Sequence, residues 1–196
     1  ITYIPTSIDM DGHTVEKMYI NTVTQVKNRI SIPLNVKMNA YFSSPANMAK
    51  KIIEAGANGL TIFDNPTLVD VDLELLSTLQ HANITNSTHL SETLRWCAIL
   101  YKKLPCSLCA GTGIHTAEDV LKAIMSGADA VALASVLLGK GESEVAVILN
   151  EITQWMQEYE YDSISQMKGS ISLDHTDNPD AYERNSYMYA LQQYRR

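Results

Sequence analysis

The chain has 196 residues, of which 15 are basic and 22 acidic, so its formal net charge is −7. Hydrophobic residues make up 45% and charged residues 19%, a composition that can bury a core and that excludes global disorder. An acidic chain without a run of Lys or Arg is a poor electrostatic match for nucleic acid or an anionic membrane, so we expect neither as a partner. The length predicts one domain.

The cysteine content indicates a reducing compartment. Cys97, Cys106 and Cys109 are an odd number of thiols in a chain of this size, which favours the cytoplasm over a disulfide framework. Cys106 and Cys109 fall within one predicted strand, where residues i and i+3 point to opposite faces, so they cannot share a metal ion. We therefore predict no metal site and interpret the cysteines as buried structural thiols.

Helical and strand patterns alternate along the chain. Apolar residues at helical spacing predict the helices, and short apolar runs bounded by turn residues predict buried strands. In chain order these are a helix over 14–30, a strand over 34–38, a helix over 44–55, a strand over 58–63, a helix over 90–103, a strand over 106–110, a helix over 116–126, a strand over 129–134 and a helix over 143–159. The stretch 64–86 is predicted to be irregular.

An internal repeat relates residues 51–60 to residues 122–131. Each copy is the end of a helix, then Gly-Ala-Asn or Gly-Ala-Asp, then an apolar strand, which is typical of parallel sheets. A β/α barrel and a doubly wound sheet both satisfy this pattern. A full barrel needs eight strands, whereas four are clear here, with a possible strand end at 1–5. If the fold is a barrel, we expect the chain to hold its second half.

Two strand-to-helix turns are candidate anion sites. At 110–119 a strand ends, Gly111 and Gly113 follow, and a capped helix begins, so backbone N–H groups can approach an anion. At 132–137 another strand runs into a helical turn that presents the N–H groups of Ala134 and Ser135. Two adjacent turns of this kind form the phosphate site of many barrels. The alternative is that both are merely tight turns.

Two charged or titratable residues lie near predicted strand ends. Lys37 ends an otherwise apolar strand, where a barrel places its reactive groups, and could offer a fixed positive charge to an anionic ligand. The alternative is a Lys that extends its stem along the rim of the sheet. His115 follows the loop glycines and could contact phosphate or move a proton, whereas the simpler interpretation is a solvent-exposed loop histidine.

The C-terminal segment is rich in tyrosine, since six of the ten tyrosines follow residue 155. We divide the chain into 1–173, part of a single barrel domain, and 174–196, a polar linker with a Tyr-rich helical tail. Tyr187, Leu191 and Tyr194 share one helical face. That face could pack on its own barrel or dock on a partner subunit, since Tyr favours interfaces. We expect a homo-oligomer that acts on a small molecule.

Taken together, these motifs resemble the dihydroorotate dehydrogenase family of FMN-dependent (β/α)₈ barrels, particularly its dihydroorotate dehydrogenase-like branch. The resemblance covers nearly the whole chain. Five segments carry it: the Pro-Leu-Asn-Val-Lys-Met strand at 33–38, the helix-to-strand turn at 54–61, the phosphate loop at 111–119, the second phosphate loop at 134–137 and the closing segment at 158–169. Their order and spacing are more specific than any one of them.

The resemblance implies the C-terminal half of a (β/α)₈ TIM barrel, with about four parallel strands and a helical tail, that binds FMN. Lys37 would stabilise the reduced ring, while Gly113, Ala134 and Ser135 would hold the phosphate. Thr112 replaces one glycine of the family's phosphate loop, and its side chain narrows the space through which a phosphate can approach the loop. The residues implied at the cofactor are Lys37, Asn65, Thr112, Gly113, Ala134 and Ser135.

Two departures from the family pattern bear on chemistry. Tyr3 stands where the family has the Cys or Ser that takes the substrate proton, so Tyr3 and Lys37 are the implied catalytic residues. An unperturbed Tyr, with a pKa of about 10, is a poor base at neutral pH. Asp64 follows the flavin-lining strand where the family has Asn, and a carboxylate beside a reduced anionic flavin is unfavourable. We therefore expect Asn65 to serve in its place.

The implied activity is hydride transfer from a dihydropyrimidine-type substrate to FMN. Two alternatives stay open: a phosphate-binding barrel lyase or isomerase without flavin, and a non-catalytic, degenerate barrel that acts as a partner subunit. We also expect the inward faces of the edge strands to carry Val, Ile and Leu. Four strands alone would leave these side chains in water, which predicts an insoluble, molten or dimeric chain that binds FMN weakly.

Overall fold

The computed structural model of the chain describes residues 3–64, 67–184 and 187–194. Its strands are β1 (Asn35–Met38), β2 (Gly59–Ile62), β3 (Thr67–Asp72), β4 (Ser77–Ala82), β5 (Ser107–Ala110) and β6 (Ala130–Val131). Its helices are α1 (Gly12–Lys27), α2 (Pro45–Glu54), α3 (Leu90–Leu100), α4 (Ala117–Ser126), α5 (Ser135–Lys140), α6 (Glu144–Glu158), α7 (Ile164–Met167), α8 (Asp180–Glu183) and α9 (Tyr187–Tyr194). A short 3₁₀ helix, Ser87–His89, precedes α3.

Four parallel strands form the main sheet in the order β1-β2-β5-β6. Helices cover one face of it, and the side chains on that face, such as Val36 and Met38, are buried. The other face carries polar or small side chains: Asn35, Lys37, Thr61, Ser107, Cys109 and Ala130. A doubly wound sheet would be covered on both faces, so the chain is part of an α/β barrel, as predicted.

The expectation that Val, Ile and Leu line the inward face is wrong. In β1 the residues alternate strictly, with Val36 and Met38 buried and Asn35 and Lys37 exposed. On the central strand Thr61 is buried, and its Oγ1 accepts a hydrogen bond of 2.6 Å from the side-chain amide of Asn35. Because this face is polar, leaving it in water forfeits little apolar burial. The burial argument for an insoluble chain is therefore weakened, but β1 and β6 are still open edges of the sheet, so that expectation stays a prediction.

The two copies of the internal repeat have the same local structure. The side chain of Asn58 accepts a hydrogen bond of 2.9 Å from the N–H of Leu34, at the start of the neighbouring strand. In the second copy a carboxylate oxygen of Asp129 accepts one of 2.8 Å from the N–H of Leu108. The other carboxylate oxygen of Asp129 pairs with Lys168. Asn58 and Asp129 therefore each join the amino-terminal end of their own strand to the neighbouring strand that precedes it in the chain.

This arrangement predicts a modest, specific effect at Asp129. Asp129→Ala removes a charge-assisted hydrogen bond and an ion pair, so we expect the free energy of unfolding to fall by about 1.5–3 kcal/mol. Asp129→Asn keeps an acceptor, as Asn58 does in the other copy, and should lose less than half of that. Urea denaturation of the three proteins measures the difference. Equal losses in both variants would mean that the hydrogen bond contributes nothing.

The stretch 64–86, expected to be irregular, contains an antiparallel hairpin of β3 and β4. Its four-residue turn, 73–76, has no Gly, Pro or Asn, so the usual turn signal is missing. Instead, Asp72 accepts hydrogen bonds from the N–H groups of Glu74 and Leu75 at 2.9 and 2.8 Å. Leu76 takes a left-handed conformation with φ +47°. Apolar and acidic residues do alternate over 69–72 in β3, and this alternation was the sequence signal for a strand.

Several predicted boundaries shift. The helix expected over 90–103 ends at Leu100, and the last strand shortens from 129–134 to Ala130–Val131. Residues 3–5 do not form the expected strand end, and residues 1 and 2 lie outside the described ranges. No helix within the described ranges is both long and apolar enough to cross a membrane.

The C-terminal tail is tied to the preceding segment by the hydroxyl of Tyr182, which donates a hydrogen bond of 2.6 Å to the carbonyl of Ile171. In α9 the side chains of Tyr187 and Leu191 are exposed, and that of Tyr194 lies outside the described side chains. The division of the chain at residues 173 and 174 stays a prediction.

Candidate functional site

Three loops meet at the carboxyl edge of the sheet through the side chains of Thr85, His115 and Ser135, here called the junction cluster. The loops follow β4, β5 and β6. The N–H and hydroxyl of Thr85 both donate to Ser135 Oγ, at 3.0 and 3.1 Å. Thr85 Oγ1 also lies 3.3 Å from His115 Nε2. Two hydroxyls and one imidazole thus come together from positions 30 and 50 residues apart.

Asp119 holds the loop after β5 in place. Its carboxylate accepts hydrogen bonds from the Ser87 hydroxyl at 2.6 Å and from the N–H groups of His115 and Thr116 at 2.9 and 3.0 Å. Burial raises the pKa of Asp119, but these hydrogen bonds outweigh burial and hold the pKa below its ordinary value. This acid is therefore engaged in fixing the loop that carries His115.

The loop glycines are required by packing. Gly113 is buried with φ +83°, and a Cβ there would overlap the backbone of Leu90, coming within 2.7 Å of its Cα. A Cβ at Gly111 would lie 2.6 Å from the methyl group of Thr61. The hydroxyl of Thr112 donates a hydrogen bond of 2.7 Å to the carbonyl of Phe63. The bare side of Gly113 thus faces the start of α3, and its contact with a phosphate stays a prediction.

Lys37 lies on the uncovered sheet face, near the carboxyl end of β1. Its ammonium group pairs with the carboxylate of Asp64 at 3.0 Å, and the Lys37 side chain is half-exposed while that of Asp64 is mostly buried. The positive charge proposed for the cofactor ring is thus offset by a neighbouring carboxylate. Asn65, expected to replace Asp64 at the ring, lies outside the described residues.

Ala134 and Ser135 begin α5, as predicted for the second phosphate loop. Ala134 is exposed and Ser135 is partly buried. Tyr3, in contrast, contacts the amino-terminal part of the chain. Its N–H lies 3.3 Å from the hydroxyl of Tyr19, and its own hydroxyl donates to the sulfur of Met10 at 3.6 Å. Its role as a base stays a prediction.

A cleft of about 390 Å³ opens beside the strand ends of β1, β2 and β5. Asp64 and Glu92 place two carboxyl groups on its wall, next to aromatic and polar side chains that include Tyr41, Phe63 and His89. It lies between the sheet edge and the first turn of α3. No periodicity or motif in the sequence pointed to this cleft.

The thiols are free in the structure. Cys97 is fully buried, and burial raises its pKa to about 12, which makes it an inert structural thiol as predicted. Cys106 and Cys109 are only half-buried, which differs from the prediction. Burial also raises the pKa of both. Among the described residues, no group of three or more His, Cys, Asp or Glu side chains could hold a metal ion.

Sequence reasoning missed Thr85, the residue that joins the other two members of the junction cluster. The signal available was a run of polar residues at 85–89, directly before the helix α3. Asp119 entered the sequence analysis only as the last residue of the phosphate loop at 111–119. The hydrogen bonds of Thr85 span 30 and 50 residues of sequence, and that between Asp119 and Ser87 spans 32, so no local pattern reveals these three contacts.

Comparisons with known proteins agree with this architecture. No protein-family model matches the sequence. The catalytic subunit of dihydroorotate dehydrogenase B (NAD(+)) from Saccharolobus solfataricus is 24% identical over 151 residues, which cover 76% of this chain and 50% of that protein. The same subunit from Oceanobacillus iheyensis is 26% identical over 145 residues, 72% of this chain and 47% of that protein. The chain therefore spans about half the length of the curated relatives it matches.

A solved structure shares the fold. DHODH from Eimeria tenella, in complex with ferulenol, superposes with a TM-score of 0.53 at 19% identity over 72% of this chain and 38% of that one. The four parallel strands and their covering helices thus resemble one part of that structure. The chain is therefore similar in sequence to catalytic subunits of dihydroorotate dehydrogenase B and similar in fold to DHODH.

Proposed function

We propose that the chain is the cofactor-binding, C-terminal part of a flavin oxidoreductase that transfers a hydride from a dihydropyrimidine-type substrate to FMN. The observation that carries this proposal is the junction cluster of Thr85, His115 and Ser135, built from three strand-end loops. In barrels of this kind the loops after the last strands hold phosphate. Lys37 lies at the same edge of the sheet.

The side chains of the junction cluster fit the phosphate of FMN. Thr85 and Ser135 carry hydroxyls and His115 an imidazole, all of which can donate a hydrogen bond to a phosphate oxygen. The nearby carboxylate of Asp119 already accepts hydrogen bonds from the N–H groups of its own loop and from the hydroxyl of Ser87. When bound, FMN supplies the hydride-accepting ring. Lys37 would present its ammonium group toward that ring, with the charge offset by Asp64.

Binding of FMN tests this proposal. We expect the chain to quench the fluorescence of added FMN, and Ser135→Asp to weaken binding at least about 100-fold, because like charges brought together cost several kcal/mol. Ser165→Asp adds the same charge on the exposed surface of α7 and should leave binding unchanged. The proposal would be contradicted if the chain does not bind FMN at millimolar concentration, or if both variants weaken FMN binding equally.

A separate expectation concerns the substrate. Tyr3 stands in the position of the family's base, and its hydroxyl donates a hydrogen bond to the sulfur of Met10. We therefore expect dihydroorotate to reduce the bound flavin slowly. Loss of a positioned base slows a reaction by about 10²- to 10⁴-fold. Anaerobic stopped-flow absorbance, which follows the bleaching of bound flavin after mixing with dihydroorotate, measures this rate. Bleaching within milliseconds would show that a competent base is present.

A second candidate is a phosphate-binding barrel without flavin. The ion pair between Lys37 and Asp64 favours it, because a lysine already paired to a carboxylate offers less charge to a flavin ring. Competition distinguishes the two. If inorganic phosphate or a simple phosphate monoester binds as tightly as FMN, the ring contributes nothing and this candidate replaces the first.

A further inference from the structure

The cleft beside β1, β2 and β5 has walls that side-chain contacts hold in place. Asn39, which is buried, accepts a hydrogen bond of 3.0 Å from the N–H of Tyr41 and donates one of 3.0 Å to the hydroxyl of Tyr19. The ring of Phe63 meets that of Trp96 edge-on, with 6.4 Å between the ring centroids. The protein itself therefore fixes the shape of the cleft, as is usual for a site that binds a small molecule.

The start of α3 forms another wall, and its backbone does not favour an anion. Backbone N–H groups at the start of a helix usually attract negative charge. Here the N–H of Thr88 already donates to the side chain of Asn86 at 3.0 Å. The N–H of His89 donates to the carbonyl of the same asparagine, also at 3.0 Å, and that of Leu90 to the carbonyl of Ser87. These three donors are therefore not available to an anionic ligand.

A buried hydroxyl opens into the cleft. Thr93 lines the cleft and is only 1% exposed. Within the described part of the chain its hydroxyl makes no hydrogen bond, whereas every fully enclosed side-chain nitrogen or oxygen there has a partner. The small accessible part of Thr93 therefore includes its hydroxyl oxygen. A buried hydroxyl left unpaired is unfavourable, so this group indicates a place for a polar ligand.

The cleft carries negative charge. Asp64 and Glu92 line it, and none of the described residues of its lining is Lys or Arg. Asp64 pairs with Lys37 at 3.0 Å, whereas Glu92 forms no ion pair with any described residue. The side chain of Tyr41, which is 71% exposed, lies on the same cleft. Since the face of an aromatic ring attracts a cation, the carboxylate and the ring both favour a positively charged ligand.

We propose that this cleft binds a small aromatic amine in its protonated form, with the ammonium group at Glu92 and Thr93 and the aromatic part against Tyr41. An ammonium group donates three hydrogen bonds and accepts none, which suits a carboxylate and a hydroxyl oxygen. Among the described residues implied at the FMN cofactor, only Thr112 also lines this cleft. The amine site is therefore separate from the junction cluster and does not depend on the FMN proposal.

Titration of the labelled full chain with benzylamine, followed by backbone amide NMR, tests this proposal. We expect binding in the low millimolar range, as is usual for so small a ligand, with shifts at 40–41, 63–64 and 88–93. Benzyl alcohol has a similar shape without the charge and should bind about five-fold more weakly. Benzoate should not bind in this range. The titration contains no FMN, so its outcome is independent of the FMN proposal.

Two substitutions test the groups that receive the ammonium ion. Glu92→Gln keeps the size of the side chain and removes its charge, so benzylamine should bind about three- to five-fold more weakly. Thr93→Val keeps the shape of the side chain and removes the hydroxyl, and it should weaken binding by a similar factor. Glu118→Gln removes one charge from the exposed surface of α4 and should bind benzylamine like the wild type.

The same spectra show whether each variant keeps its fold. If Thr93→Val unfolds, Glu92→Gln and the three ligands decide the outcome, because Glu92 is exposed and its replacement leaves the core intact. Binding of benzyl alcohol or benzoate as tight as that of benzylamine would overturn the proposal. So would unchanged binding in Glu92→Gln, an equal loss in Glu118→Gln, or shifts confined to residues outside the cleft.

Discussion

Gly169→Ala is expected to lower the free energy of unfolding by about 2–5 kcal/mol, the sum of left-handed strain and overpacking. Gly169 is buried, has φ +73°, and a Cβ there would overlap the ring of Tyr101. The ring cannot retreat, because Gly127 packs on it as well, with a Cβ position 2.6 Å from three of the Tyr101 carbons. The Tyr101 hydroxyl also donates to the carbonyl of Lys168 at 3.2 Å. Urea denaturation measures the loss.

The matched control is Gly139→Ala. Gly139 lies within α5, and a Cβ there meets nothing within 4 Å. Alanine is favoured over glycine inside a helix by about 1 kcal/mol, so this variant should be as stable as the wild type or more so. If Gly169→Ala proves as stable as Gly139→Ala, the segment after α7 does not pack against Tyr101 as described.

Asp119→Ala is expected to have the second largest effect, about 2–4 kcal/mol, because it removes one half of the capping box at the start of α4 and leaves three donors without their acceptor. The effect depends on pH. Since the folded-state pKa of Asp119 is lowered, its stabilisation is present above the unfolded pKa, near 4, and is lost as the pH falls through the folded value. The wild type should therefore approach the stability of Asp119→Ala in strong acid.

Thermal unfolding of both proteins from pH 7 to pH 2 measures this convergence. Glu118→Ala is the control, because Glu118 is exposed and pairs only across the surface with Lys122. Exposed pairs of this kind contribute about 0.3–0.5 kcal/mol. A constant difference between wild type and Asp119→Ala over the whole range would mean that the carboxylate charge plays no part.

Local patterns were sufficient to predict the main sheet. Helical periodicity, the stop at Gly127 and the repeated Gly-Ala-Asn and Gly-Ala-Asp turns each act within a few residues, and they located four strands and their helices. Which face of the sheet is buried could also have been predicted from β1, because the polar residues Asn35 and Lys37 alternate there with the apolar residues Val36 and Met38. The hairpin was missed because its turn closes through the side chain of Asp72 instead of a glycine.

The functional site was less accessible to sequence reasoning. Ser135 and His115 could be identified because each follows a strand end, where barrels place ligand-binding groups. Thr85 could not, since its hydrogen bonds reach 30 and 50 residues along the chain. The partner of Lys37 was likewise hidden: Asp64 was expected as an obstacle to the cofactor, whereas in the folded chain it forms an ion pair with that lysine.

Locating bound FMN within the chain is the most direct test that the loops after β4, β5 and β6 hold its phosphate. Backbone amide NMR spectra of the labelled chain, recorded during titration with FMN, report where binding occurs. We expect the largest shifts in the loops that carry Thr85, His115 and Ser135, and these shifts should disappear in Ser135→Asp. Shifts confined to the cleft around Tyr41 and Glu92, or no shifts up to millimolar FMN, would contradict this assignment.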